Sequence, residues 1–192
     1  IPVVHNYDEI GITPLHVIEK AWKAGLMNLD IPKKYGGNEY GLLESALVVE
    51  EFAAAGPGIA TSIFANGLGE EPILMSKNDA LKEEICTDLI ENFGLISFAT
   101  SETVMGSDVA GMKCKAEKDG DEWVLNGKKY WITNAGFAKY ISLFANADPK
   151  SRHKGICGFL VRTDREGVST GRPIEKMGHR CSNTTVVELE NY

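Results

Sequence analysis

The sequence has 192 residues, of which 43% are hydrophobic and 24% charged, and its formal net charge is −7. A chain of this length and composition buries a core of its own and is neither disordered nor of low complexity. No apolar run approaches the ~20 residues that cross a bilayer, residues 1–8 show no charged-then-apolar leader, and the acidic balance argues against a nucleic-acid partner.

The charge is distributed unevenly along the chain. Residues 1–94 hold fifteen Asp and Glu against six Lys and Arg, whereas residues 95–192 hold twelve against fourteen. The second half is therefore the better electrostatic host for an anionic small molecule. A solvated acidic surface on helices explains the first half equally well.

Residues 1–94 carry the 3.6-residue periodicity of amphipathic helices. Capping residues and glycines mark where such helices begin and end. Four helices are predicted: from Pro14 to Gly25, over 43–53, over 59–68, and from Asn78 to Gly94.

From Leu95 onward the apolar residues recur with a period of two, which predicts strands. The predicted strands cover 95–100, 112–117, 122–125, 128–133, 140–145, 158–162 and 185–189. Asn126 and Gly127 form a strong turn signal, because both residues tolerate positive φ, and they predict a tight hairpin. The order of elements predicts an α+β chain: an all-α domain over residues 1–94, then an antiparallel β-barrel or sandwich over residues 95–192.

Metal-site spacings and the common nucleotide-binding motifs are absent from the sequence. The four cysteines and four histidines are too dispersed for a zinc site, and Cys86 and Cys157 have apolar neighbours typical of core residues. There is no Gly-x-Gly-x-x-Gly, no phosphate-binding loop and no Gly-x-Ser-x-Gly.

Two segments combine polar and aromatic residues at predicted strand ends. Residues 97–110 lead from a strand into a hydroxyl-rich loop, which offers hydrogen-bond donors to a ligand. Residues 130–136 place an aromatic side chain beside a hydroxyl, an arrangement that can stack on a flat ring and bond its edge. On pattern alone, a capped turn and a core tryptophan are the simpler interpretations.

At these segments the sequence resembles the acyl-CoA dehydrogenase family, most closely its medium- and short-straight-chain members. Residues 101–108 are similar to the family's flavin loop, Thr-Glu-Pro-x-Ala-Gly-Ser-Asp, and residues 131–134 match its Trp-Ile-Thr-Asn. Residues 25–37 and 176–184 resemble two further family stretches, so the resemblance is collinear over the whole chain. The sequence departs from the family at residues 103–105, where Thr replaces Pro and larger side chains replace small ones.

The resemblance implies an FAD-dependent enzyme that α,β-dehydrogenates a straight-chain fatty acyl-CoA and passes the electrons to an electron-transfer flavoprotein. It also implies contacts with FAD that stabilise negative charge on the reduced flavin, with Ser107 also facing the CoA part of the substrate. The residues implied are Phe98, Thr100, Ser101, Gly106, Ser107, Trp131, Ile132 and Thr133.

The resemblance further implies that this chain is a fragment. Family members are longer, form homotetramers, and end in a four-helix bundle that in most of them carries the catalytic Glu. The sequence ends where the linker to that bundle begins, so we expect no catalytic residue here and no activity from this chain alone. Glu102 lies nearest to the flavin loop, but the family pattern gives it a structural place and its reach to a substrate proton is not implied.

The alternative is a stand-alone, non-catalytic module that binds flavin or acyl-CoA, or that serves as an interaction surface. The family implies a location in the mitochondrial matrix or the bacterial cytoplasm. The residue spacing, the apolar runs and the net charge described above predict no metal, no membrane span and no nucleic-acid partner.

Overall fold

The structure is a computed structural model that describes residues 4–192; Ile1, Pro2 and Val3, at the start of the predicted helical domain, lie outside the described residues. Within this range the helices are α1 Val4–Ile10, α2 Leu15–Lys23, α3 Leu42–Ala55, α4 Pro57–Met75 and α5 Asp79–Glu91. The predictions of α2, α3 and α5 are confirmed, whereas periodicity gave no signal for α1. Helix α4 is longer than predicted because burial on several of its faces overrides its internal glycines and Pro72.

A curled sheet follows the helices, and the predicted order of an all-α part before a β part is confirmed. Its strands are β1 Leu95–Ala99, β2 Lys115–Asp119, β3 Glu122–Thr133, β4 Ala138–Asn146, β5 Ile156–Arg162, β6 Val168–Thr170 and β7 Thr184–Leu189. The spatial order is β1-β4-β2-β3-β7-β6, with β5 also paired to β4. The sheet is mixed, since β1 runs parallel to β4 while most of the other pairs are antiparallel.

The predicted hairpin at Asn126 and Gly127 is wrong. Strand β3 runs through both residues without a break, and the tight turn lies earlier, at residues 120–121 between β2 and β3. Gly127 is needed for a close approach instead: an added Cβ would lie 2.7 Å from the Cα of Cys114, and its φ is 148°. Gly127 therefore marks a crowded position in β3 beside the start of β2, because glycine allows both the close approach and the positive φ.

Replacing Gly127 with Ala is expected to lower the free energy of unfolding by about 2–4 kcal/mol, because the new methyl group meets backbone that cannot move aside and the positive φ adds strain of its own. Gly120→Ala is the matched control: its φ is 59° but nothing lies within 4 Å of an added Cβ, so only backbone strain of about 1 kcal/mol is expected. Urea unfolding followed by circular dichroism measures both. Equal losses in the two variants would contradict the close approach.

Hydrogen bonds of polar side chains, among them the buried Asn66, join the helices to the sheet. Asn66 of α4 accepts from the backbone amide of Ile96 at 3.1 Å and donates to the side chain of Asn28 at 2.9 Å. Asp88 of α5 accepts from the ammonium of Lys139 on β4 at 2.6 Å. The contact of Asn66 fixes α4 beside β1, and that of Asp88 fixes α5 beside β4; the first decides where the surface of α4 lies relative to the end of β1.

Glu70 of α4 is a buried carboxylic acid without a partner. It is 1% exposed, and neither of its carboxyl oxygens has a hydrogen-bond partner among the described residues. Burial, with a smaller contribution from the charge of Asp30, raises the pKa of Glu70 to about 8. The folded chain therefore holds this group protonated at neutral pH.

The Glu70→Gln variant is expected to be more stable than the wild type, and only at higher pH. Between the ordinary pKa of 4.5 and the raised pKa of about 8, the unfolded chain loses a proton that the folded chain keeps, so wild-type stability falls as the pH rises. We expect a gain of about 4 kcal/mol at pH 8 and almost none near pH 4.5.

Urea unfolding at several pH values tests this expectation. Glu71→Gln is the control, because Glu71 is the exposed neighbour on the same helix. A gain from Glu70→Gln that does not change with pH would contradict the assignment.

Candidate functional site

A β-bulge near the end of β3 turns Trp131 out of the sheet. The pairing with β7 shifts between Lys129 and Ile132, and Trp131 has a φ of 59°, which bulky residues rarely adopt. Its side chain is 55% exposed, whereas the neighbouring Ile132 is buried in the core. Trp131 is therefore not the core tryptophan of the simpler interpretation, and strained, exposed aromatics of this kind are typical of binding sites.

The end of β1 lies beside this bulge. Ser97 donates its hydroxyl hydrogen to the carbonyl oxygen of Thr133 at 2.7 Å, and the amide of Tyr130 donates to the carbonyl of Ser101 at 2.9 Å. Between these two contacts Phe98 faces outward and is 37% exposed. The two predicted segments, distant in sequence, are thus joined along one edge.

A cavity of about 190 Å³ lies at this edge. Helix α4 contributes two apolar residues that sequence reasoning missed. The lining residues are Ala65, Leu68, Phe98, Thr100, Ser101, Trp131, Ile132 and Thr133. Six of the eight predicted site residues are therefore brought together. No sequence signal could have found the two helix residues, because helical periodicity does not distinguish a face that packs from one that meets a ligand.

Gly106 and Ser107, the other two predicted residues, do not line this cavity. They are exposed farther along the loop, beyond a turn that Glu102 and Met105 close with two mutual backbone hydrogen bonds of 3.2 Å. An added Cβ at Gly106 would meet nothing within 4 Å. The backbone there is open to a ligand from outside.

A neighbouring cavity of about 250 Å³ follows this loop. It is lined by residues 110–113, Lys115, Asn146 and Pro149, and its lysines are Lys113 and Lys115. Both lysines are exposed. This positive charge suits an anionic ligand, in agreement with the more basic second half of the sequence.

Glu102 is not free to act as a base. It is 5% exposed, and its carboxylate accepts hydrogen bonds from the ammonium of Lys129 at 2.8 Å and from the amides of Lys113 at 2.7 Å and Cys114 at 2.9 Å. Burial by itself raises the pKa of Glu102, but these three donors outweigh it and hold the pKa below its ordinary value. An ionised, buried and fully bonded carboxylate does not reach a substrate proton.

The residues around the 190 Å³ cavity fit a flat heteroaromatic ring such as the isoalloxazine of FAD. Trp131 presents an exposed π face, and the half-buried Ser101 and Thr133 bring hydroxyl groups to the same cavity. Leu68 and Phe98 add apolar surface. A mostly apolar cleft with a few converging polar groups is the usual form of a cofactor site.

Other parts of the molecule carry none of the predicted site residues. A cavity of about 450 Å³ lies between residues 10–13, Phe137 and the 173–183 segment.

Cys86 is buried as expected, but Cys157 is exposed on β5. Among residues 4–192, no group of three His, Cys, Asp or Glu side chains is placed to hold a metal ion. Within the same range, every helix is too short or too polar to cross a membrane.

Comparison with known proteins gives matches over both parts of the chain. Residues 1–92 match the family model for the N-terminal domain of acyl-CoA dehydrogenases, and residues 97–192 match the model for the middle domain. A probable medium-chain specific acyl-CoA dehydrogenase from mitochondria of Caenorhabditis briggsae is 34% identical over 100% of this chain. A mitochondrial short/branched chain specific acyl-CoA dehydrogenase of Rattus norvegicus is 35% identical over 99%.

Among solved structures, an acyl-CoA dehydrogenase from Bacillus anthracis complexed with FAD is 32% identical, with a TM-score of 0.88, and the match covers 100% of this chain and 32% of that one. The chain spans 48% of the Caenorhabditis protein and 44% of the Rattus protein, about half the length of these curated relatives.

Proposed function

We propose, from the premise that the chain belongs to the acyl-CoA dehydrogenase family, that it forms the FAD-binding half of an enzyme that dehydrogenates acyl-CoA thioesters. In this proposal residues 1–94 are the helical domain and residues 95–192 the flavin-binding β-domain. The observation that carries it is the single cavity that unites the exposed Trp131 with the hydroxyls of Ser101 and Thr133. A similar structure complexed with FAD supports the choice of cofactor.

Each group at the cavity has a distinct task in the proposed site. FAD, when bound, supplies the acceptor for the hydride removed from the substrate β-carbon. Trp131 holds the flat ring by stacking, while Ser101, Thr133 and nearby amides donate hydrogen bonds to its edge and favour negative charge there. Leu68 and Phe98 exclude water from the ring.

The substrate's CoA portion is assigned to the exposed loop at Gly106 and Ser107. The adjacent lysines Lys113 and Lys115 supply positive charge for its phosphates. We assign a straight-chain acyl group, with an electron-transfer flavoprotein as the acceptor of the electrons. The longer protein would be a homotetramer of the mitochondrial matrix or the bacterial cytoplasm.

No catalytic base is assigned to this chain. None of the residues that line the 190 Å³ cavity is a carboxylate, and Glu102 beneath the loop is held by Lys129 and two amides. The chain is therefore proposed to bind its ligands without turning the substrate over.

The Trp131→Ala variant tests the position of the cofactor site. The wild-type chain is expected to bind FAD, and Trp131→Ala to raise the Kd by roughly 5- to 150-fold through the loss of stacking, which is worth about 1–3 kcal/mol. FAD fluorescence titration measures the Kd. Trp123→Ala is the matched control, because Trp123 is also exposed, at 41%, but packs on Phe159 elsewhere in the sheet. Equal Kd values for the two variants would place the flavin elsewhere.

Anaerobic mixing of the FAD-loaded chain with acyl-CoAs tests the substrate class and the absence of a base. We expect a shift of the flavin absorption bands on binding, tighter binding of straight-chain than of branched acyl-CoA, and no bleaching. Bleaching would show that a residue of this chain removes the proton. Binding of acyl-CoA without any binding of FAD would favour the non-catalytic module.

A further inference from the structure

Lys129 is a fully buried lysine at the centre of a closed hydrogen-bond network. It is 0% exposed, and its ammonium donates to the carbonyl of Thr100 at 3.0 Å and to the carboxylate of Glu102 at 2.8 Å. The same carboxylate accepts the amides of Lys113 and Cys114. The two charges therefore neutralise each other, and each also forms hydrogen bonds with backbone groups whose orientation is fixed.

Stability alone does not account for such a pair. Removing two charges from water costs about as much as their attraction returns, so a buried ion pair has little net value compared with apolar residues of similar size. The ion pair instead fixes relative positions, because the ammonium donates hydrogen bonds to two acceptors and the carboxylate accepts them from three donors. A network of this kind specifies one arrangement of the backbone segments that it joins.

The segments joined are the two halves of the proposed flavin site. Thr100 lines the cavity, and Glu102 follows Ser101, which also lines it. Lys129 is the last residue of β3 to pair with β7 in register before the bulge that exposes Trp131. The network thus lies beneath the backbone segments that carry Ser101 and Trp131, the hydrogen-bonding and stacking residues of the cavity.

We propose, on the basis of the proposed function, that Lys129 and Glu102 are positioning residues for flavin binding, which lock the edge at residues 100–101 to the edge at residues 131–133. They contact the ligand only through the residues they hold. Without the pair, the hydroxyl of Ser101 and the indole of Trp131 are no longer held at a single separation, and displacement by a fraction of an ångström is sufficient to weaken a preorganised site.

The test uses the 192-residue chain and the double variant Glu102→Gln with Lys129→Met. The double variant removes both charges at nearly constant volume, so it leaves no unpaired buried charge and is expected to fold; the single variant Lys129→Met is measured beside it. Lys128→Met is the matched control, because Lys128 is the preceding residue of the same strand and pairs with Glu188 at the exposed surface, at 2.6 Å.

Three readouts separate positioning from simple stability. Urea unfolding reports the fold, FAD titration reports the Kd and the absorption spectrum of bound flavin, and hydrogen exchange of the free chain reports the amides of residues 100–106 and 129–133. We expect the double variant to fold, to exchange faster in those two segments, and to bind FAD at least about tenfold more weakly with an altered spectrum. Lys128→Met should match the wild type in all three.

The contrary outcomes are distinct. A folded double variant with the wild-type Kd and spectrum would overturn the positioning role and leave the proposed function intact. Failure of the wild type and of Lys128→Met to bind FAD would overturn the proposed function, and the flavin-positioning role with it.

Discussion

The conformation of Trp131 is imposed on β3 by the pairings on either side of it. Before the bulge, Lys129 pairs with Val187 of β7, and after it Ile132 pairs with Thr185. Strand β3 therefore contains one more residue than β7 between these two pairs, and the extra residue forms the bulge. A left-handed φ at a bulky residue costs roughly 1–2 kcal/mol. The ladder pairs on both sides of the bulge hold Trp131 in this conformation, and its aromatic ring faces outward from the strand.

The helical part contributes to the site by placing α4 against the cavity, and its acidic surface has no part in the lining. Asn66 ties the middle of this helix to the start of β1, and Ser142 of β4 donates to the carbonyl of Gly69 at 2.6 Å. Ala65 and Leu68 therefore reach the cavity from a helix that is anchored on the same strands that carry the polar groups. A cleft whose walls share a core in this way keeps its shape before any ligand arrives.

Local sequence signals, such as helix periodicity and capping residues, predicted elements that are stabilised by contacts between residues close in sequence. Asn78 does cap α5, since its side chain accepts from the amide of Leu81 at 3.1 Å. The Asn-Gly pair misled because its preference for positive φ is shared by turns and by crowded strand positions, and only the tertiary neighbour Cys114 distinguishes them. The parallel pairing of β1 with β4 is likewise invisible in a period-two pattern, which fixes the faces of a strand but not its partner. The family motifs, in contrast, led to six residues of one cavity, whereas Ala65 and Leu68 carried no motif.

The role of Glu102 also limits what chemistry the cavity can perform by itself. A carboxylate that holds a buried ammonium must remain ionised, and the low pKa that this requires makes it a weak acceptor of protons. Protonation would leave Lys129 buried without its counter-charge, so taking up a substrate proton would loosen the wall that the flavin is proposed to contact. The same residue cannot both fix the geometry of this site and serve as its base. Removal of a proton beside this cavity therefore requires a group that does not belong to the network supporting it.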